Sequence, residues 1–340
     1  MELRVAVYNV EWMKDLFRDG QPKLPSQPGD DGDDGRRSQA LAEVVRAIDP
    51  DVLLVVEGPD TLADGSKTAS GQLEAWRDAF GLDPAYRAVH GIPSGGRQEL
   101  CALYRSSRVI LTHDPEGAAR RNPFDRPFLV DTLDTLIKEQ YEHYRPPLEL
   151  SLADAQEPGE EVARIVLAHT KSKGIFDLVD LARFEQLSGR NRKKLIAECY
   201  SIRERCNQYF EEDPDRHVIV AGDINDGFGM DYYEARFARS AVEVLLGDVW
   251  EPERILKHVL PRPRLGKYGW TPNSSRFRDR VTGDQFNVLI DHILVSRGVG
   301  VANARVWNPY LSDAPPEVRD LRGPLIEGSD HFPVAADLTL

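Results

Sequence analysis

The apolar residues of this chain fall into short runs with two different periods, and most of the runs end on a polar side chain. Residues 3–10 are β-branched and weakly alternating, which predicts a first strand. The Gly-, Pro- and Asp-rich stretch 19–35 predicts a loop. Over 36–48 the spacing of Leu41, Val44, Val45 and Ile48 is helical, and Pro50, which lacks a backbone donor, stops the helix. Residues 51–56 read as a buried strand ending at Glu57, 71–80 as a helix, 98–105 as a strand, and 109–112 as its hairpin partner. The Pro- and charge-rich segment 114–161 predicts a strand-loop insertion that covers a sheet edge. Residues 162–168 form a strand that delivers His169, and 177–210 form a long helix with Ile196, Cys199, Ile202, Cys206 and Tyr209 as its apolar stripe. A buried strand over 218–222 ends at Asp223, and 288–295 and 333–340 supply the last strands.

Strands at both ends with helices between them predict a layered α/β protein, with two packed mixed sheets flanked by helices. A doubly wound parallel sheet fits less well, because no Gly-rich phosphate loop follows the first strand. There is no internal repeat and no linker between two cores, so one domain over 1–340 is expected, with 114–161 as its unusual part.

Composition narrows the class. A chain of 340 residues that is 41% apolar and 29% charged can bury a sizeable core. No apolar run reaches the roughly 18–20 residues that cross a bilayer, so no membrane association is expected. The opening Met1-Glu2-Leu3-Arg4-Val5-Ala6-Val7 enters a strand without the basic start of a secretory signal, which predicts a cytoplasmic protein. Cys101, Cys199 and Cys206 are odd in number and lack CxxC spacing, which argues against a disulfide framework or structural zinc and for buried thiols. A net charge of -13 argues against a protein that lives on duplex DNA non-specifically, although carboxylates awaiting a metal add to the same balance.

The chemistry-bearing residues stand at strand ends: Asn9, Glu57, His169, Asp223 and Asn225 in Gly-Asp-Ile-Asn, Asp291-His292, and Ser329-Asp330-His331. Taken singly, each has an ordinary explanation as a turn, cap or surface residue. Asp291 is the exception, because it sits among apolar neighbours where an unpaired carboxylate is costly, and a histidine is a natural partner. As a set they match the needs of phosphate-ester hydrolysis. Glu57 with Asp330 or Asn9 can offer oxygen to a hard cation. Asp223 can take a proton from an attacking water, and His169, His331 and Asn225 can donate to the charge that builds on the phosphate. Mg2+, with Mn2+ as a substitute, fits this oxygen-rich set better than zinc.

The ordered series Asn9, Glu57, His169, Gly222-Asp223-Ile224-Asn225, Ile290-Asp291-His292 and Ser329-Asp330-His331-Phe332-Pro333-Val334 resembles the endonuclease/exonuclease/phosphatase superfamily, the deoxyribonuclease I-like fold, over essentially the whole chain. The resemblance implies a four-layered α/β sandwich with the site at one rim of the two sheets. It implies that Glu57 is the main metal ligand beside Asn9 and Asp330, that Asp223 orients or deprotonates water, and that Asn225 holds Asp223 and the phosphate. His331, held by Asp291, would contact the scissile phosphate, and His169 would donate from the opposite side. One departure is Gln98, which stands where deoxyribonuclease-like members use a glutamate to orient the first histidine, with Glu99 next to it. The other is the segment 114–161, which compact members lack.

The superfamily acts on several phosphate esters, so the fold alone does not choose a substrate. Motifs of the inositol-phosphatase branch are missing, and neither a signal peptide nor an exposed apolar hairpin supports a sphingomyelinase. His169-Thr170-Lys171-Ser172-Lys173 and Asn225-Asp226-Gly227 are similar to stretches of bacterial nuclease members. Basic clusters at 190–194, 262–267 and 276–280, the last two flanking Tyr268-Gly269-Trp270, could hold a phosphodiester backbone and stack a base. Lys171, Trp270, Arg276 and Arg278 are therefore the expected substrate contacts, and 190–194 is expected to be helix surface. The expectation is a metal-dependent phosphodiesterase acting on nucleic acid, with no protein partner. A phosphomonoesterase or small-molecule phosphodiesterase is the alternative. An inactive scaffold would be expected to have lost ligands, and none is lost.

Overall fold

The computed structural model describes residues 1–25, 31–62, 64–95, 98–115, 123–133, 135–175, 180–228, 231, 234–260, 273–278 and 283–340. In chain order the first half contains β1 (Glu2–Asn9), β2 (Phe17–Arg18), β3 (Gln21–Pro22), α1 (Asp31–Ile48), β4 (Val52–Gly58), α2 (Ala69–Ala79), β5 (Tyr86–His90), β6 (Glu99–Arg105), β7 (Val109–His113), β8 (Phe128–Val130), β9 (Glu139–Tyr141), β10 (Leu148–Asp154) and β11 (Glu161–His169). The second half contains α3 (Leu181–Glu212), β12 (Val218–Asp223), α4 (Ala241–Leu246), β13 (Leu256–His258), β14 (Ser275–Arg278), β15 (Gln285–Val288), β16 (Asp291–Ser296), β17 (Gly300–Val306), α5 (Pro316–Asp320), α6 (Arg322–Gly328) and β18 (Val334–Thr339).

Among the described residues the main strands form two six-stranded mixed sheets, ordered β17-β18-β1-β4-β6-β5 and β13-β16-β12-β11-β10-β7. Strand periodicity sends alternate side chains to opposite faces. In the second sheet Ile165, Leu167, Ile219, Ala221, Ile293 and Val295 join the core shared with the first sheet. Their neighbours Val166, Ala168, Val218, Val220 and Leu294 pack under α3 and α4, against Ile196, Cys199, Ile202 and Cys206. The outer face of the first sheet is covered by Leu41, Val44 and Ile48 of α1 and by Leu73 and Trp76 of α2. The result is the expected helix–sheet–sheet–helix layering. No helix among the described residues is long and apolar enough to cross a membrane.

Three local expectations are corrected. Helix α1 begins at Asp31, and β2 and β3 form a small ribbon, so 19–35 is not one loop; 26–30 lie outside the described residues. The hairpin partner of β6 is not 109–112, because β4 and β5 occupy both edges of β6, and β7 crosses to the second sheet to pair with β10. Within 114–161 the alternating Leu148, Leu150 and Leu152 make β10 an integral strand between β7 and β11, while β8 and β9 form the separate hairpin. Gly222 is required where β12 passes β11. Its φ is +142°, and a Cβ there would lie 1.8 Å from the Ala168 carbonyl oxygen.

Candidate active site

Register alone sets up half of the site. His169, Asp223 and Asp291 are direct partners across β11, β12 and β16, so their side chains stand in one row at the rim of the second sheet. Each follows by two residues, or precedes by two, a side chain of the inter-sheet core (Leu167, Ala221, Ile293), which turns the row towards the first sheet. From that sheet Asn9 and Glu57 arrive at the ends of parallel β1 and β4. The turn after α6 brings Asp330 and His331.

Asp291 has the partner its burial demands. Its Oδ2 shares a 2.8 Å hydrogen bond with His331 Nδ1 and accepts another of 2.8 Å from Ser274 Oγ. Burial opposes charge on the His331 imidazole, but Asp291, Asp223 and Asp330 outweigh it and hold the group well above its ordinary pKa, as an imidazolium. His331 Nε2 lies 3.9 Å from Asp223 Oδ2 and 3.7 Å from Asp330 Oδ1. On the other side His169 Nε2 lies 3.6 Å from Asp223 Oδ2 and 3.8 Å from Glu57 Oε1. Burial, then Arg145 and His331, keep His169 well below its ordinary pKa, so it is neutral. Asp223, between the two imidazoles, is pushed up to about 7 by burial and by Asp291. One charged and one neutral imidazole flanking a carboxyl of raised pKa is the pattern of divided acid and base roles.

Asn9 and Asn225 are placed differently from expectation. Asn9 turns its amide nitrogen to Asp223 Oδ2 (3.0 Å) and Glu57 Oε1 (3.4 Å), while its Oδ1 accepts from the Glu11 backbone N–H at 3.0 Å. It orients two carboxylates and does not present an oxygen ligand. Asn225, at φ +53°, holds Asp223 Oδ1 through its backbone N–H (2.9 Å), and its side chain donates to the Thr170 carbonyl (3.1 Å).

The residues fit a divalent cation by charge and by donor type. Glu11, Glu57, Asp223, Asp291 and Asp330 converge here. Burial and Asp330 raise the Glu11 pKa, a sign of negative charge in excess. Among the described residues Asp223, Asp291 and His331 are the one group whose ligand atoms lie within 4.8 Å of one another. Glu57 and Asp330 flank it from the other sheet, with Glu57 Oε2 accepting the Trp12 backbone N–H at 2.9 Å and the Asp330 N–H donating to Glu11 Oε2 at 3.1 Å. Arg37 reaches the Val10 carbonyl at 2.7 Å and Glu11 Oε2 at 3.9 Å.

Sequence reasoning missed Arg145. Its guanidinium donates to the His169 carbonyl (3.1 Å), the Thr170 carbonyl (2.9 Å) and Gln98 Oε1 (2.6 Å). Gln98 therefore bonds Arg145 rather than the imidazole, and His169 Nδ1 is buried without a hydrogen-bond partner. Glu99 accepts the Ser94 backbone N–H instead, at 3.0 and 3.2 Å. Only the position of Arg145 inside the atypical segment pointed to it.

Of the expected substrate contacts, Lys171 is half-buried, with its ammonium on the Ser172 carbonyl at 2.9 Å. Lys173 is tied to Asp226 (2.5 Å) and Glu234 (2.6 Å) and so joins the His169 loop to the Asn225 loop. Arg276 and Arg278 lie on the β14–β15 hairpin, which is rooted at the site: Ser275 bridges His331, and the Arg276 N–H donates to the Asp330 carbonyl at 3.0 Å. Trp270, like the whole of 261–272, lies outside the described residues. In 190–194 only Arg190 is exposed; Asn191 is buried, and half-buried Arg192, Lys193 and Lys194 pair with Asp231, Glu139 and the buried Glu198, so the stretch is only in part the helix surface expected.

The sequence finds no match among curated proteins. A family model for the endonuclease/exonuclease/phosphatase family matches residues 207–331, the stretch that carries Asp223, Asn225, Asp291, Asp330 and His331. Truncated TDP2 from Caenorhabditis elegans is 12% identical and aligns over 100% of this chain and 98% of its own, with a TM-score of 0.51. An endonuclease/exonuclease/phosphatase family protein from Bacteroides thetaiotaomicron is 17% identical over 99% of this chain and 95% of its own, with a TM-score of 0.53. The mannosyl-6-phosphatase Bt3783 of the same organism is 18% identical over 99% and 100%, with a TM-score of 0.50. At such identities these likenesses bear on the fold, and they span it from β1 to β18. The chain thus shares its fold with these proteins from end to end, and residues 207–331 are similar to the endonuclease/exonuclease/phosphatase family.

Proposed function

We propose that the protein is a divalent-metal-dependent phosphodiesterase that hydrolyses nucleic acid by in-line attack of water. The observation that carries this reading is the Asp223 carboxyl standing 3.6 Å from a neutral His169 and 3.9 Å from a charged His331. Glu57 and Asp330 would hold Mg2+ or Mn2+, with Asn9 orienting Glu57 and Asp223. When bound, the cation supplies Lewis-acid neutralisation of charge at the phosphate. Asp223 accepts the proton of the attacking water, and the Asn225 backbone N–H fixes its orientation. His331, kept cationic by Asp291, donates to a phosphoryl oxygen on one side, and neutral His169 donates from the other. Lys171, Arg276 and Arg278 supply positive charge along the approach. The same reading takes 1–340 as one catalytic domain in a cytoplasmic protein.

A second reading, hydrolysis of a small phosphate ester, is favoured by the net charge of -13, which repels a long polyanion. Supercoiled plasmid, single-stranded RNA and 4-nitrophenyl phosphate, each incubated with Mg2+, Mn2+ or EDTA, separate the two. Metal-dependent cleavage of nucleic acid is expected, monoester turnover alone would shift the reading to a phosphatase, and no turnover of any ester would end it. Asp223→Asn and His331→Ala should each lose about 10²–10⁴-fold in rate with unchanged circular dichroism, and a near-normal His331→Ala would remove that residue from the mechanism.

A further inference from the structure

Tyr310 holds two guanidinium groups against one ring. Arg276 lies 4.0 Å and Arg322 4.5 Å from the ring centroid, the two shortest cation–ring distances among the described residues. Among the described residues neither arginine reaches a carboxylate at ion-pair distance. Two guanidinium groups gathered on one ring with no described carboxylate at ion-pair distance make a local positive patch in a chain of net charge -13, the arrangement an anion would satisfy. Stacking also suits the purpose. It uses the flat face of each guanidinium and leaves the N–H edge free for a bidentate contact with phosphate, which an ammonium cannot offer.

The stack is positioned by the catalytic segment itself. The Tyr310 ring packs edge-on against Phe332, with centroids 6.0 Å apart, directly after His331. Arg276 is hydrogen-bonded through its backbone to Asp330 at 3.0 Å. Arg322 opens the seven-residue α6, whose far end delivers Ser329 and Asp330. A helix of that length spans about 10 Å, so an anion at Arg322 sits beyond the scissile phosphate rather than upon it. We propose that the Arg276–Tyr310–Arg322 stack binds a second phosphate of the substrate, on the Asp330 side of the cleft. The proposal rests on the phosphoesterase reading and adds to it that the substrate carries more than one phosphate, as in a polynucleotide strand or a sugar bisphosphate.

The test compares kcat/KM within two pairs of probes: an oligothymidylate against bis(4-nitrophenyl) phosphate, and glucose 1,6-bisphosphate against glucose 6-phosphate. Arg322→Gln, on an exposed side chain, should lower the preference for the member with the extra phosphate by about tenfold, the scale of one charge-assisted hydrogen bond. Arg322→Lys should recover only part of it. Loss in the first pair identifies a strand, loss in the second a small bisphosphate, and an unchanged preference in both overturns the stack as a subsite. Binding of fluorescein-labelled oligothymidylate in EDTA gives a readout that needs no turnover. If no ester is hydrolysed, the enzyme reading fails alone; the stack fails with it only if Arg322→Gln binds the labelled strand as tightly as the unaltered protein.

Discussion

His169 is neutral because burial, the Arg145 guanidinium and the His331 imidazolium all oppose a further positive charge beside it. Arg145 at the same time ties down the backbone of the His169 loop, so removing its fork should both loosen the loop and weaken the opposition to charge. Arg145→Gln is expected to lower kcat by about 10–100-fold, in the range of a displaced positioning group. KM should move little and the His169 pKa should rise, as read by steady-state kinetics and imidazole NMR titration. Gln98→Glu should pair with Arg145 and leave kcat nearly unchanged, whereas a clear rise in rate would return the orienting role to position 98. The sequence pointed at Gln98 as the departure but could not reveal its partner, because Arg145 lies in an irregular stretch without periodicity. It did expose Asp291, since a carboxylate among apolar neighbours needs a partner, and the structure places His331 there at 2.8 Å. Glu99 makes a separate prediction. Burial pushes it up to about 7 from an ordinary 4.5, and no cation offsets this. The folded protein keeps the proton while the unfolded chain releases it, so this residue's contribution to stability falls as pH rises from about 4.5 to about 7. Glu99→Gln should therefore resist urea better than the unaltered protein at pH 8, by up to about 3 kcal/mol, with the two curves merging near pH 4. A constant offset at every pH would contradict the assignment.

Elements with one clear period were legible, including β1, β4, β11, β12 and the apolar stripe of α3. Elements whose identity depends on what else fills the sheet were not. Residues 106–108 make a short turn that suggests a hairpin, but the choice is made by β5, whose mixed Tyr86–His90 pattern gave no strand signal. β10 was hidden in a charge-rich segment although Leu148, Leu150 and Leu152 alternate cleanly. The stretches 169–173 and 225–227 read from the sequence as two separate nuclease-like motifs, and the structure joins them through Lys173. That ammonium sits between Asp226 and Glu234, and the other Asp226 oxygen accepts the Ala241 N–H at the start of α4 at 2.6 Å. Lys173→Met leaves two buried carboxylates without their cation, a loss of about 3–5 kcal/mol. A Tm unchanged by Lys173→Met would show that the network is not what joins the loops.

At the scale of the whole molecule the site belongs to neither sheet alone: Asn9, Glu57 and Asp330 come with the first, and His169, Asp223 and Asp291 with the second. The order of motifs along the chain was readable because each ends a strand or opens one, and strand ends gather at a rim whenever two sheets pack face to face. Their mutual distances were not readable, since these depend on register and on side-chain orientation, as the turned amide of Asn9 illustrates. The cost of this assembly is electrostatic. Glu11, Glu57, Asp223, Asp291 and Asp330 are drawn together from both sheets, and burial first, then the neighbouring carboxylates, hold Glu11 and Asp223 above their ordinary range. A divalent cation that neutralises this excess in the folded state, and has no such cluster to bind in the unfolded chain, must stabilise the fold by linkage. At a hundred times its Kd the gain is about 2.7 kcal/mol, which for a chain of this size is a rise in Tm of a few degrees. Mn2+ or Mg2+ should therefore raise Tm in a concentration-dependent way, EDTA should reverse it, and Glu57→Gln should abolish most of it while raising the metal-free Tm by relieving repulsion. If Glu57→Gln keeps the full shift, the cation is held without Glu57, by the Asp223, Asp291 and His331 group, and the proposed role of Glu57 as a ligand is wrong.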